Sequence, residues 1–402
     1  MNRSTCSLSL YVAAILCAAH VGRAAAPAER AEILTRAPLH EAIAAPLTAD
    51  PIPGRVIVAE PALPPIESPP DERIAGAEWI PGYWFWDDDG RGFVWISGVW
   101  RVPPPGRRYV PGYWADVAGG RQWISGFWAA ADASEIRYNP RPPESAENGP
   151  SGPPPAADHF WSPGSWKFVD GDYEWRPGNY EKHRGDAVWS PAHYLWTPAG
   201  YVHVEGYWDR PLAQRGVVFA PRRFKGDAIA AAKPAAVVVD LNAALHHWFV
   251  LPAQRHYCFG DYYQTSYSRY GVQPQFDFHV RRGFDPLFAY YTCRFRELGV
   301  DFPEKAGERH RYYLRRTDER PARTWLADQP NDLARGWREV LATGDLGKPV
   351  WEPEATRAAV QQGTRDRREL ESRRRRTEAD SQISAEPRLR LPAVITTAWR
   401  AE

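Results

Sequence analysis

The sequence predicts a mainly β protein: an antiparallel meander of Trp-rich strand–turn repeats about 14 residues long, forming one or two sheets. A charged C-terminal tail, helical or disordered, is expected to follow. Three observations carry this. A six-residue phrase, first met as Trp79-Ile80-Pro81-Gly82-Tyr83-Trp84, returns with start-to-start steps of 16, 14, 14, 38, 14, 14, 14 and 16 residues. The chain holds 39 Pro and 31 Gly, which favours strands and turns over long helices. Glycine-bearing turn sequences separate the phrases, as at Asp87-Asp88-Asp89-Gly90 and Ala118-Gly119-Gly120.

In chain order, residues 1–24 read as a secretory signal peptide. Arg3 gives a positive start, Leu8 to Cys17 an apolar stretch too short to span a bilayer, and Gly22-Arg23-Ala24 a cleavage site. The mature chain is therefore expected outside the cytoplasm: periplasm, cell surface or extracellular space. Residues 25–74 are an Ala/Pro-rich linker, with a short helix over 28–37 ending before Pro38. Residues 75–128 form a first block of four hexads, beginning at residues 79, 95, 109 and 123. Hexads 79 and 109 carry Pro-Gly, and hexads 95 and 123 carry Ser-Gly, which suggests a two-strand hairpin as the true repeat. Positions one and six of a straight strand point to opposite faces. A bend at the Pro-Gly or Ser-Gly step would return both aromatic ends to one face.

Residues 129–158 are a Pro-rich loop. Residues 159–224 form a second block of five hexads, worn toward its end, where Ala192 and Arg222 replace glycine and His203 and Phe219 replace tryptophan. Residues 225–300 are a dense aromatic segment expected to pack on the repeats. Residues 301–351 are basic and aromatic, with a helix expected from Asp328 to Thr343 on the spacing of Leu333, Trp337 and Leu341. Residues 352–402 are the charged tail.

The hexads at Trp79–Trp84, Trp95–Trp100, Tyr109–Trp114, Trp123–Trp128 and Trp161–Trp166 resemble the YXWGXW (WxxGxW) repeat of exported bacterial proteins. Arg255 to Tyr263, followed by Phe284-Asp285-Pro286-Leu287, is similar to the stretch that follows the repeats in larger members. Members carry another aromatic residue where Cys258 stands. The likeness covers roughly residues 75–300. It implies export and an envelope or extracellular setting, and it supplies no catalytic residues.

Nineteen tryptophans are present, fourteen of them between Trp79 and Trp208. Most are expected to form the core of a thin sheet. Rings on an open face would suit stacking on sugars, with Trp84, Trp100, Trp114, Trp128, Trp166 and Trp208 as the candidates. Asp87, Asp88 and Asp89 could hold calcium but lack the spacing of an EF-hand loop, so solvated turns are the better reading. His183, His193, His203, His246, His247 and His256 show no metal-site spacing. No nucleophile elbow, P-loop or dinucleotide fingerprint is present, and a Cys258–His256 thiol–base pair lacks an orienting group. Once the signal peptide is removed, Cys258 and Cys293 are the remaining cysteines and a candidate disulfide. Net charge is +1, and −1 without Arg3 and Arg23, which gives no drive toward nucleic acid. The expectation is therefore a non-catalytic exported structural or interaction protein without cofactor or metal. Its partner would be a cell-wall or extracellular glycan or another envelope protein. A glycan-binding module is the alternative, and an envelope hydrolase centred on His256–Asp261 the remote one.

Overall fold

Tryptophan-bearing strands pair two by two. The computed structural model describes residues 31–225, 233–234, 236–281, 283–326, 331 and 333–343. The expected signal peptide and charged tail lie outside these residues. The described chain is mainly β, in many short antiparallel sheets.

Eight hexads form four hairpins, over residues 78–101, 107–130, 159–182 and 188–209. Each hairpin keeps one register from its open end to its turn. In the first, Trp79 faces Trp100 and Trp84 faces Trp95, although the ladder breaks at Pro81-Gly82 and Ser97-Gly98 between them. Proline has no N–H to give a ladder, so the break falls where the sequence cannot hydrogen-bond. The turn at Asp170-Gly171 shows how a hairpin closes: both residues have positive φ, 50° and 92°, as a tight two-residue turn requires. The strand–turn repeats expected in one or two sheets are thus arranged as hairpins in many short antiparallel sheets, several of them extended by a further strand. The ninth hexad, from Phe219 to Phe224, has no partner hexad. The strand before it, Gly216–Val218, and its own second half, Arg222–Phe224, join the first hairpin as a third strand.

The segment read as a linker is partly core. Residues 31–33 form a strand on Arg222–Phe224, and Ala37–Pro38 form one on His256–Phe259, where a helix was expected. Leu34, Leu39, Ala42 and Ile43 are all buried. Burying an extended chain demands partners for its N–H groups. Leu34 donates to the Pro221 carbonyl, Thr35 to Arg323 and Leu39 to Tyr257. The sparse aliphatic residues of an Ala/Pro-rich stretch suffice to bury it once a sheet offers that ladder.

Beyond the repeats, Trp248–Leu251 and His256–Phe259 form a further hairpin, flanked by Ala37–Pro38 and Gln273–Pro274. Helices α1 (Leu241–Leu245), α2 (Gln275–Arg281), α3 (Pro286–Arg296) and α4 (Phe302–Arg315) belong to this half. The start of α3 is written in its sequence: Asp285 caps the Phe288 N–H and Pro286 occupies the first turn. Asp301 and Pro303 repeat the device for α4. The helix expected from 328 is shorter. Ala334–Gly336 are taken as a strand by the apolar run Val237–Val239, and α5 spans Trp337–Thr343. No helix among the described residues is long and apolar enough to cross a membrane.

A buried ion cluster ties the hairpins together. Arg101, at the end of the first hairpin, donates to both carboxylate oxygens of Asp209, at the end of the fourth, at 2.8 and 2.6 Å. Arg215 reaches the same carboxylate at 3.1 Å. The two guanidinium groups also donate to the carbonyls of Ala42 and Ile43, so the N-terminal segment is held in the same knot.

Candidate functional site

The hexad itself is the first site to build. Its positions one and six meet the corresponding positions of the partner hexad across the ribbon. Trp79–Trp100, Trp84–Trp95, Trp114–Trp123, Tyr109–Trp128, Trp161–Tyr180, Trp166–Trp175, Trp189–Trp208 and Tyr194–His203 have ring centroids 4.9–5.8 Å apart, inclined by 48–77°. These edge-to-face or tilted pairs each contribute about 0.5–1.5 kcal/mol beyond area burial.

The glycine at position four has a steric cause. On the ribbon diagonal it lies beneath the leading ring of the partner hexad. A Cβ on Gly82, Gly98, Gly112, Gly126, Gly164, Gly178 or Gly206 would come within 2.8 Å of the side chain of Trp95, Trp79, Trp123, Tyr109, Trp175, Trp161 or Trp189 respectively. The same diagonal sets Ala192 against His203. Where the leading ring shrinks to imidazole, the facing residue gains a methyl group.

The broken ladder leaves hexad N–H groups free, and three glutamates take them. Glu41 accepts from the Gly126 N–H at 2.8 Å, the Trp123 indole at 3.2 Å and the Tyr109 hydroxyl at 3.1 Å. Tyr109 and Trp123 come from opposite strands and converge on one carboxylate, as the expected bend requires. Glu147 accepts from the Gly164 N–H at 2.5 Å and the Trp161 indole at 3.0 Å. Glu67 accepts from the Gly98 N–H at 2.6 Å and from Arg222 at 2.7 Å. The first three hairpins thus each hold one carboxylate from outside the hexads, Glu67 and Glu147 from proline-flanked stretches and Glu41 from the turn over 41–43. Burial raises the Glu41 carboxyl above its ordinary range, opposed by the Gly126 N–H. His256, held by the Tyr83 hydroxyl at 2.7 Å, is pushed down to about 4 by burial.

Sequence reasoning missed these glutamates. The available signal was an acid set among prolines, at Pro64-Pro65-Ile66-Glu67-Ser68-Pro69 and from Pro142-Pro143 to Glu147.

A cavity of about 860 Å³ opens between the third and fourth hairpins, α3 and the Pro-rich loop. Trp161, Trp166, Trp175, Tyr180 and Tyr194 supply its aromatic wall, with His279 and Arg296 among its polar residues.

The candidate sugar-stacking residues are dispersed. Trp84, Trp100 and Trp128 are 4–5% exposed and offer no face to a ligand, a correction to the open-face expectation. They are consumed by cross-strand pairing. Trp114 is half-buried and donates to the Trp84 carbonyl. The Arg184 guanidinium lies 4.1 Å from the ring centre of Trp208. Of the six, Trp166 lines the large cavity.

The expected Cys258–Cys293 disulfide is not formed: both are buried free thiols. Cys258 sits in the strand His256–Phe259, while Cys293 sits on α3 near the His159 carbonyl. Burial pushes the Cys293 thiol up to about 11, and the Cys258 thiol also upward. Asp87, Asp88 and Asp89 pair with Arg223, Arg55 and Arg36. His246 and His247 lie together beside Arg309 and His256 lies apart against Tyr83, with burial lowering the basicity of each. Among the described residues no group of three metal-binding side chains converges.

A family model described as WXXGXW repeat (2 copies) matches residues 79–101, 157–179 and 188–208. Those stretches coincide with the first, third and fourth hairpins, and the second has the same geometry. No curated protein and no solved structure matches the chain.

Proposed function

We propose that the chain, a WXXGXW-repeat protein, is a non-catalytic exported interaction protein of the bacterial envelope or extracellular space. The observation that carries this reading is the use made of the hexads. Their rings lock into ribbons, and the N–H groups at the breaks hold glutamates of segments outside the hexads. That arrangement positions and grips polypeptide. The residues that could have served a hydrolase, His256 and Cys258, are buried and engaged in packing. The test has two parts. The purified chain is incubated with peptidoglycan, extracellular polysaccharide, peptide and ester substrates, and cell fractionation follows its location. No turnover and recovery outside the cytoplasm are expected. Turnover by the purified protein, or retention in the cytoplasm, refutes the reading.

A second reading, glycan binding, is favoured by the cavity walled by Trp161, Trp166 and Trp175. Sugar C–H faces pack on such rings while hydroxyls reach the polar wall. A glycan array read alongside tryptophan fluorescence tests it. A response lost on Trp166→Ala supports it, and silence across cell-wall and extracellular polysaccharides ends it.

A further inference from the structure

The Pro-rich loop is not a bystander above the third hairpin. Aromatic side chains of that hairpin donate along it in sequence. The Tyr173 hydroxyl donates to the Pro140 carbonyl at 2.6 Å, and the Trp166 indole N–H donates to the Glu144 backbone carbonyl at 3.0 Å. Trp161 and the Gly164 N–H hold the Glu147 carboxylate, and Tyr180 donates to the Gly152 carbonyl at 2.6 Å. Pro142 is buried while most of its neighbours stay exposed. Residues 140–150 form neither helix nor strand, so their carbonyls lack ladder partners. Indole and phenol donors aimed at the carbonyls of a proline-rich segment are the means by which aromatic grooves read extended peptides. The motif recurs in the chain: Pro65 is buried and Glu67, two residues on, docks on Gly98 of the first hairpin.

We infer that the third hairpin is a receptor for proline-rich, glutamate-bearing segments, with residues 140–152 as its resident occupant and a matching segment of another protein as its partner. This rests on the interaction reading above and names the partner class. The third hairpin is the one open to exchange. Glu41 is buried, and Glu67, half-buried like Glu147, is also held by the Arg222 guanidinium at 2.7 Å, whereas Glu147 belongs to a loop most of whose residues are exposed. The loop also roofs the cavity of about 860 Å³ without filling it, leaving room for larger side chains on an incoming segment. The resident loop competes at high effective concentration, so a free partner binds the intact protein weakly and gains when the loop is released.

The experiment replaces residues 141–152 by a Gly-Ser linker of equal length in the otherwise full chain. A fluorescein-labelled peptide of residues 139–153 is then titrated and followed by anisotropy. Saturable binding is expected, stronger than to the intact chain. It should weaken roughly 10- to 100-fold with a Glu147→Gln peptide or a Trp161→Phe protein, since each removes a charge-assisted hydrogen bond. Absence of binding to a folded loop-replaced protein, or equal binding of the Glu147→Gln peptide, overturns the inference. Should the replacement fail to fold, a protease site inserted after Gly152 lets the loop be nicked in the folded protein. Displacement of the nicked loop by peptide supports the inference, and no displacement overturns it. The two readings fail separately: turnover of an envelope polymer refutes the non-catalytic reading whatever the peptide does, whereas a peptide failure with turnover still absent ends only the receptor.

Discussion

Replacing Gly206 by alanine isolates the ring contact, because a Cβ on each of the other six hexad glycines would also come within 2.8 Å of a facing backbone carbonyl oxygen. The added Cβ would lie 2.8 Å from both Cζ2 and Cη2 of Trp189, with the Ala192 nitrogen next at 3.2 Å. Ordinary contact begins at 3.4 Å, so the ring must retreat by about 0.6 Å. It is held by the Ser162 hydroxyl at 2.8 Å and by Trp208, 5.1 Å away centre to centre. Gly206 has no positive φ, so backbone strain plays no part. Overpacking of this kind costs about 1–3 kcal/mol, and a small displacement of a half-buried ring places Gly206→Ala near ~1–2 kcal/mol. With Trp189→His already in place the same substitution should cost less than about 0.5 kcal/mol, because the clashing ring is gone. Urea unfolding of the four variants, followed by far-ultraviolet circular dichroism, gives the coupling energy. Gly82→Ala is the contrast: its Cβ would also strike the Ile96 carbonyl oxygen, so trimming Trp95 should rescue it poorly. The natural control runs in reverse, with His203→Trp destabilising alone and recovering with Ala192→Gly. Additive costs for Gly206→Ala and Trp189→His would refute the steric account of the glycine.

Three further outcomes follow from the buried charges and thiols. Asp209→Ala should cost about 3–5 kcal/mol by urea unfolding, because it strands the buried Arg101 and Arg215 guanidinium groups; a loss below about 1 kcal/mol would show that the knot contributes little. His40, His256 and His279 have basicities lowered to about 4, chiefly by burial, and His193 to about 3. The unfolded chain protonates first as pH falls below 6.5, so stability should decline from there toward pH 4, by up to about 1.4 kcal/mol per pH unit for each histidine. A urea midpoint unchanged between pH 7 and pH 5 would contradict this. Cys258 and Cys293 should resist alkylation in the folded protein and label on unfolding, read by peptide mass spectrometry; fast labelling under native conditions would place at least one thiol in solvent.

The strands, the turns and the hairpin as true repeat were legible because they are local. Spacing sets strand length, glycine marks each turn, and the Pro-Gly step marks the break. The starts of α3 and α4 were equally local, written as Asp-Pro at 285–286 and Asp301 with Pro303, and were overlooked among aromatic residues. What the sequence could not announce was which segments the broken ladders would capture. Glu41, Glu67 and Glu147 lie 85, 31 and 17 residues from Gly126, Gly98 and Gly164, outside any hexad, and composition makes their segments look like linkers. The exposure of the tryptophans was hidden for a related reason. A regular row of rings has the same spacing whether it faces a ligand or folds onto its own neighbour.

The reciprocal seating of each leading ring on the other hexad's glycine makes parity a constraint on how such proteins evolve. A duplication of one hexad leaves an aromatic ring without a seat and a glycine without a cover. A duplication of two yields a ribbon in which every leading ring has a glycine seat. Hexads should therefore be gained and lost in pairs, and an odd one must be absorbed differently. The ninth hexad of this chain illustrates the exception: it lies on an existing ribbon as a third strand, where its fourth residue, Arg222, stands directly opposite Trp95 and is not glycine.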